Sequence, residues 1–312
     1  MDFLLIAAGL AGLLVGGDML VRGAVSLARG WGISPMVIGL TLVGFGTSMP
    51  ELLTSVQAAL VGSPGIAVGN VVGSNICNIL LIIGIAALLR PIAVDRDGLS
   101  RDGTVMTLVA VLGLGAVLIG TIGAVAGVVF LAGLAAYLAM TLIAERRRQG
   151  AAAAIYAGEA GLLPDRGAPA WRAGFSFAAG LVLTILGARW LVTGAISLAA
   201  DMGVSEAVIG LTIVAVGTSL PELVTSVIAA RRGEGGVALG NIIGSNIFNI
   251  LGILGVTALV RPLPVPGSIV AVDIWVMLAA TLLLMIFART GWRIGRREGG
   301  VLTAGYAAYL GF

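Results

Sequence analysis

The stretch from Gly39 to Pro91 recurs 171 residues later, from Gly210 to Pro262, without a gap, and 33 of the 53 paired positions are identical. A chain that carries one segment twice must build one local structure twice, and whatever chemistry that structure holds comes as a pair. Each copy places one glutamate, Glu51 or Glu222, inside an apolar segment of bilayer length. The shared positions include Gly46-Thr47-Ser48 with Pro50-Glu51, against Gly217-Thr218-Ser219 with Pro221-Glu222. They also include Gly69-Asn70, Gly73-Ser74-Asn75 and Asn78, against Gly240-Asn241, Gly244-Ser245-Asn246 and Asn249.

Of the 312 residues, 59% are hydrophobic and 11% charged, more apolar surface than a soluble core of this length can hide. The chain therefore reads as an integral membrane protein. It has no histidine, and all 18 of its basic residues are arginines. That removes a histidine general base and any imidazole metal site, and argues against an enzyme. Cys77 stands where the second copy has Phe248 and reads as a small packing residue. Asp2 replaces the basic start of a cleavable signal, so the first apolar run is expected to remain as a helix.

Apolar segments near 3–28, 33–61, 66–89, 104–121 and 123–144 are followed by others near 173–199, 204–230, 236–260, 268–288 and 300–312. Spans of about 20 residues cross a bilayer core. The expected fold is all-α and polytopic, with ten transmembrane helices: a first repeat over 1–144, a linker over 145–171 and a second repeat over 172–312. Arginines set the orientation. Arg29, Arg90, Arg96, Arg101, Arg146 to Arg148, Arg166, Arg172, Arg231, Arg232, Arg289, Arg293, Arg296 and Arg297 fall on one face, and Arg261 on the other. This puts the linker in the cytoplasm and both termini outside. Five helices per half make the second half enter the membrane upside down, the inverted-repeat plan of many secondary transporters.

A carboxylate at mid-membrane costs at least about 2.5–3.5 kcal/mol and needs a partner. Without lysine, and with the neighbouring arginines clustered at helix ends, the natural partner for Glu51 and Glu222 is a cation that comes and goes. Thr47 and Ser48 precede Glu51 by four and three residues and share its helix face; Thr218, Ser219 and Glu222 repeat the spacing. Pro50 and Pro221 each interrupt the helix and free a carbonyl, which membrane depth tolerates where backbone lines a cavity or an ion. Asn70, Ser74 and Asn78 lie on one stripe of the third helix, and Asn241, Ser245 and Asn249 repeat it. Oxygen donors without sulfur or imidazole suit Ca²⁺ or Na⁺. Two carboxylates balance one Ca²⁺ or two Na⁺, which makes competition a physical basis for exchange. Asn75 and Asn246 read as structural. Asp18 and Arg22 neutralise each other at i,i+4, and a contact between Asp18 and Arg189 is expected across the repeats. Asp273 reads as interfacial.

At these motifs the chain resembles the cation/calcium exchanger superfamily, specifically its prokaryotic sodium/calcium exchanger branch. The likeness rests on two Gly-Thr-Ser-x-Pro-Glu motifs, each followed by Gly-Ser-Asn-Ile-x-Asn, and covers nearly the whole chain. The resemblance implies a ten-helix exchanger with Glu51 and Glu222 as central ligands of Ca²⁺ and Na⁺. Thr47, Ser48, Ser74, Asn78, Thr218, Ser219, Ser245 and Asn249 would complete the ion sites, with backbone carbonyls near Gly44 and Ala215. It implies no cofactor, no nucleic acid and no obligatory protein partner, in a cytoplasmic (inner) membrane. Some prokaryotic relatives carry aspartate where this chain has Asn249, leaving two acidic ligands here. Proton-coupled relatives usually have Gly-Asn in place of Gly-Thr-Ser, which favours Na⁺. The expected function is Ca²⁺ export against Na⁺ entry by alternating access, with a H⁺/Ca²⁺ antiporter and a passive cation channel as alternatives.

Overall fold

The computed structural model describes residues 1–156, 169–202 and 215–311. Helices account for nearly all of it: α1 (Asp2–Trp31), α2 (Pro35–Thr47), α3 (Met49–Leu60), α4 (Pro64–Leu89), α5 (Arg96–Leu118) and α6 (Ala124–Tyr156). Then come α7 (Ala170–Asp201), α8 (Ala215–Thr218), α9 (Leu220–Arg232), α10 (Gly235–Val260), α11 (Ile269–Arg289) and α12 (Arg296–Leu310). The bounds of α4 recur in α10 at the 171-residue offset of the sequence repeat.

Seven described helices are long and apolar enough to cross a membrane, and α2 with α3 makes an eighth if that pair is one span. The apolar segment expected over 33–61 is broken beside Pro50, as its proline implied: α2 and α3 meet at Ser48 with a bend of 42°. Pro50, in the first turn of α3, has no amide hydrogen to offer the preceding turn. The counterpart span over 204–230 falls partly outside the described residues, and α12 has only 15 residues. The linker expected over 145–171 starts as helix, because α6 continues to Tyr156 through an alanine run at 151–154. Its remainder to residue 168 lies outside the described residues.

Two features join the halves. Helix α1 packs antiparallel along α7 through glycines seven residues apart: Gly9, Gly16 and Gly23 on one side, Gly180, Gly187 and Gly194 on the other. A Cβ at Gly16 would lie 2.6 Å from the Thr184 nitrogen, and one at Gly187 2.6 Å from the Leu13 nitrogen, so the backbones touch where a larger residue would hold them apart. Four short strands, β1 (Ile92–Ala93), β2 (Thr121–Ile122), β3 (Leu263–Pro264) and β4 (Arg293–Ile294), pair crosswise, β1 with β4 and β2 with β3, both antiparallel. Each half thus supplies one strand to each ladder.

The expected Asp18–Arg189 contact does not form. One carboxylate oxygen of Asp18 meets Arg22 Nε at 2.9 Å and the other meets Arg232. Helix α9 packs on α1 through Val224 and Ile228 against Gly17, which brings the end of α9 to Asp18, while Arg189 is exposed. At the start of α2, the Ser34 amide donates to Glu145 Oε1 at 2.6 Å, fastening α6 to the helix that leads to Thr47 and Ser48. Asp273 accepts from Tyr309 at 2.8 Å, matching Tyr137 on Asp102 at 3.3 Å in the first half.

Candidate functional site

Glu51 and Glu222 each sit in the first turn of a helix restarted after a break, α3 and α9, and each is 1% exposed. The break that Pro50 and Pro221 enforce therefore places the amide-rich, positive end of a helix beside each carboxylate. The two acids are held reciprocally: Ser48 Oγ donates to Glu222 Oε1 at 2.9 Å, and Ser219 Oγ donates to Glu51 Oε1 at 3.2 Å. Each serine belongs to the break of one repeat and serves the glutamate of the other.

Helices α4 and α10 brace this pair from behind. Asn70 Nδ2 donates to the Glu51 carbonyl at 3.1 Å and to Ser55 Oγ at 3.0 Å; Asn241 does the same to the Glu222 carbonyl at 3.4 Å and Ser226 at 2.9 Å. Thr47 Oγ1 lies 3.0 Å from the Val43 carbonyl oxygen and 3.2 Å from Asn241 Oδ1, two acceptors that share its single hydroxyl proton. The Gly44 carbonyl accepts from Ser245 Oγ at 3.1 Å. That approach is tight, since a Cβ at Gly44 would stand 3.0 Å from the Ser245 nitrogen. Ser74 Oγ lies 3.5 Å from Ser219 Oγ. Thr218 is half-buried, and Ala215 opens α8.

Asn78 and Asn249 begin matching widened turns of π-helix, Asn78–Ile83 and Asn249–Leu254. Their amides cross between halves: Asn78 Nδ2 donates to Asn246 Oδ1 at 3.1 Å, and Asn249 Nδ2 to Asn75 Oδ1 at 2.9 Å. The structural role expected of Asn75 and Asn246 takes the form of these interhelical bonds, whose partners the sequence did not name. The signal available was their own place in the repeat, together with that of Met106 and Met277, whose sulfurs receive Asn246 Nδ2 at 3.9 Å and Asn75 Nδ2 at 3.7 Å.

Seven buried side-chain polar atoms among the described residues have no hydrogen-bond partner, and four of them are Glu51 Oε2, Glu222 Oε2, Asn78 Oδ1 and Asn249 Oδ1. A buried acceptor left unpaired costs about 1–3 kcal/mol, more when charged. Two matched pairs of such acceptors define an electron-rich interior suited to a hard cation. No cluster of three or more histidine, cysteine or acidic side chains occurs among the described residues, so neutral oxygens must supply the rest of any coordination shell. Cys77 is a buried free thiol.

The sequence pattern of the sodium/calcium exchanger protein family matches residues 1–143 and 173–312, leaving out only the region between the halves and thus covering both copies of the site. The chain belongs to that family. Similar proteins include the putative antiporter CaxA of Alkalimonas amylolytica, 41% identical over 304 residues that cover 96% of this chain and 95% of that one. The sodium/calcium exchanger MaX1 of Methanosarcina acetivorans is 38% identical over 348 residues, covering 99% and 97%. The inner membrane protein YrbG of Escherichia coli is 39% identical over 312 residues, covering 98% and 94%. Among solved structures, the sodium-calcium exchanger NCX_Mj soaked with Na⁺ and Sr²⁺ superposes with a TM-score of 0.86 at 34% identity, covering all of this chain and 98% of that one. As a member of the sodium/calcium exchanger family, the protein is a multi-pass membrane ion transporter.

Proposed function

We propose that the protein exports Ca²⁺ in exchange for entering Na⁺, by alternating access to one interior shared between its two halves. The observation that carries this reading is the reciprocal pair of buried glutamates, each with one oxygen held by a serine of the other repeat and one oxygen unpartnered. Glu51 and Glu222 are the central ligands. Thr47, Ser48, Ser74 and Asn78, with Thr218, Ser219, Ser245 and Asn249, and the carbonyls near Gly44 and Ala215, complete sites for Ca²⁺ and Na⁺. Two carboxylates take one Ca²⁺ or two Na⁺ to neutrality, so either load permits closure. An empty doubly negative interior is costly to seal from water, and that cost couples the two ions.

Ten spans in two inverted repeats, 1–144 and 172–312, complete the proposal. Both termini lie outside a cytoplasmic membrane and the linker lies inside it. Antiparallel packing of α1 on its repeat counterpart α7, and the crosswise strand ladders, support the inversion. The names of the antiporter and sodium/calcium exchanger relatives support the ions. The test is Ca²⁺ uptake into proteoliposomes loaded with Na⁺, compared with vesicles holding equal Na⁺ on both sides and with a pH gradient alone. Uptake that needs the Na⁺ gradient supports the reading. Uptake driven by pH alone replaces it with proton coupling, and flux without any counter-ion replaces it with a channel.

A further inference from the structure

The four asparagines Asn75, Asn78, Asn246 and Asn249 form two crossed pairs, and only one member of each pair has an unpartnered oxygen. An amide has two unlike faces: its oxygen attracts a cation and its NH₂ repels one, and a half-turn about the last torsion exchanges them. Something must choose the face that Asn78 and Asn249 offer. Asn75 donates its own Nδ2 to the Asn246 backbone carbonyl at 3.2 Å and to Met277 sulfur at 3.7 Å. A carbonyl only accepts, so Asn75 is fixed with its oxygen toward Asn249, and only the NH₂ of Asn249 can meet it, at 2.9 Å. The Asn249 oxygen is thereby left to the interior. Asn246 stands in the mirror position, with its NH₂ on Met106 sulfur at 3.9 Å and its oxygen taking the NH₂ of Asn78 at 3.1 Å.

We infer that Asn75 and Asn246 are positioning residues that lock the side-chain amides of Asn249 and Asn78 with their oxygens presented to the transported cation, each acting on the opposite repeat. The inference rests on the proposed ion-exchange function. It gives the two residues a role in ion affinity that a packing role does not: their effect passes through one named partner and vanishes when that partner has no wrong face.

In Asn249→Asp protein both oxygens attract cations, so no amide face remains to be chosen; one of them then meets the Asn75 oxygen, another acceptor, and Asn75→Leu removes that repulsion rather than a hydrogen bond. The experiment measures Ca²⁺ affinity by calorimetry on purified full-length protein in detergent. Asn75→Leu and Asn246→Leu are each made in the parent and in the Asn249→Asp background. The result expected is a loss of about tenfold for Asn75→Leu in the parent, the worth of one hydrogen bond of about 1.4 kcal/mol, and less than about twofold in Asn249→Asp. Asn246→Leu, which acts through Asn78, loses about tenfold in both. The mirror experiment, with Asn78→Asp as the background, exchanges the two behaviours and decides the matter if one variant fails to fold. Equal losses in both backgrounds overturn the inference while leaving ion exchange intact. Absence of Ca²⁺ binding by the parent overturns the function reading, and the inference with it.

Discussion

The interior of the molecule and its two ends treat the repeat in opposite ways. Around Glu51 and Glu222 the contacts that hold the acids and the asparagines come in twins: Ser48 on Glu222 and Ser219 on Glu51, Asn70 and Asn241 behind the glutamates, and the crossed asparagines with their methionines. At the helix ends the twins part. Asp18 lies between Arg22 and Arg232, whereas Arg189 at the equivalent position is exposed; Leu60 and Val61 are exposed and apolar where the second copy has Arg231 and Arg232. On the proposed function the interior offers the same oxygens from both halves, which would hold both copies to one set of residues. In the proposed inverted arrangement the ends of the two copies would face different sides of the membrane, where identical residues would serve neither orientation.

Loss of either interior acid should break this symmetry most severely. Glu51→Gln and Glu222→Gln should each reduce Na⁺-driven Ca²⁺ uptake by at least about 100-fold, roughly 2.7 kcal/mol, because one carboxylate cannot neutralise a divalent ion. Similar losses from both sharpen the comparison; one mutant retaining near-parent flux would break it. Next in size is the glycine seam. Gly16→Val and Gly187→Val should each cost about 1–3 kcal/mol through overpacking, read as a lower melting temperature in detergent. Gly115→Ala, inside α5 at a position where a Cβ meets no described atom within 4 Å, should leave the melting temperature undiminished or slightly raised.

Smaller effects test the reciprocity itself. Ser48→Ala and Ser219→Ala each remove one hydrogen bond to a carboxylate and should raise the Ca²⁺ concentration for half-maximal uptake by about tenfold, about 1.4 kcal/mol, and by matching amounts. A tenfold disparity between them would mean that the halves do not share one site. Arg232→Ala should matter least: its partner Asp18 keeps Arg22, and both members of the pair are about one-third exposed, so stability should change by less than about 1 kcal/mol with uptake unaltered.

Much of this was legible in the sequence because the repeat doubled each signal. Glu51 with Pro50, read beside Glu222 with Pro221, pointed to a broken helix carrying an acid, and the structure breaks between α2 and α3 at Ser48. Direction across the interior was not legible: a spacing of four puts Asn70, Ser74 and Asn78 on one stripe, yet Asn70 turns to the Glu51 carbonyl while Asn78 meets Asn246. Nor were the widened turns at Asn78 and Asn249, since periodicity at 3.6 residues cannot register one extra residue per turn. The Asp18–Arg189 expectation failed because equivalence in a repeat does not bring residues together; the packing of α9 on α1 put Arg232 there. The heptad glycines of α1 and α7 were present in the sequence, but their function as a seam became apparent only with the partner helix in place.

The central claim is that Ca²⁺ and Na⁺ use the same oxygens of one shared interior. Calorimetric titration of the purified protein with Ca²⁺ at a series of Na⁺ concentrations tests it most directly. The account predicts that Na⁺ weakens Ca²⁺ binding competitively, with the logarithm of the apparent Kd rising with the logarithm of Na⁺ concentration at a limiting slope of about two or more, since at least two monovalent ions must replace one divalent ion. A Ca²⁺ affinity indifferent to Na⁺ would contradict it.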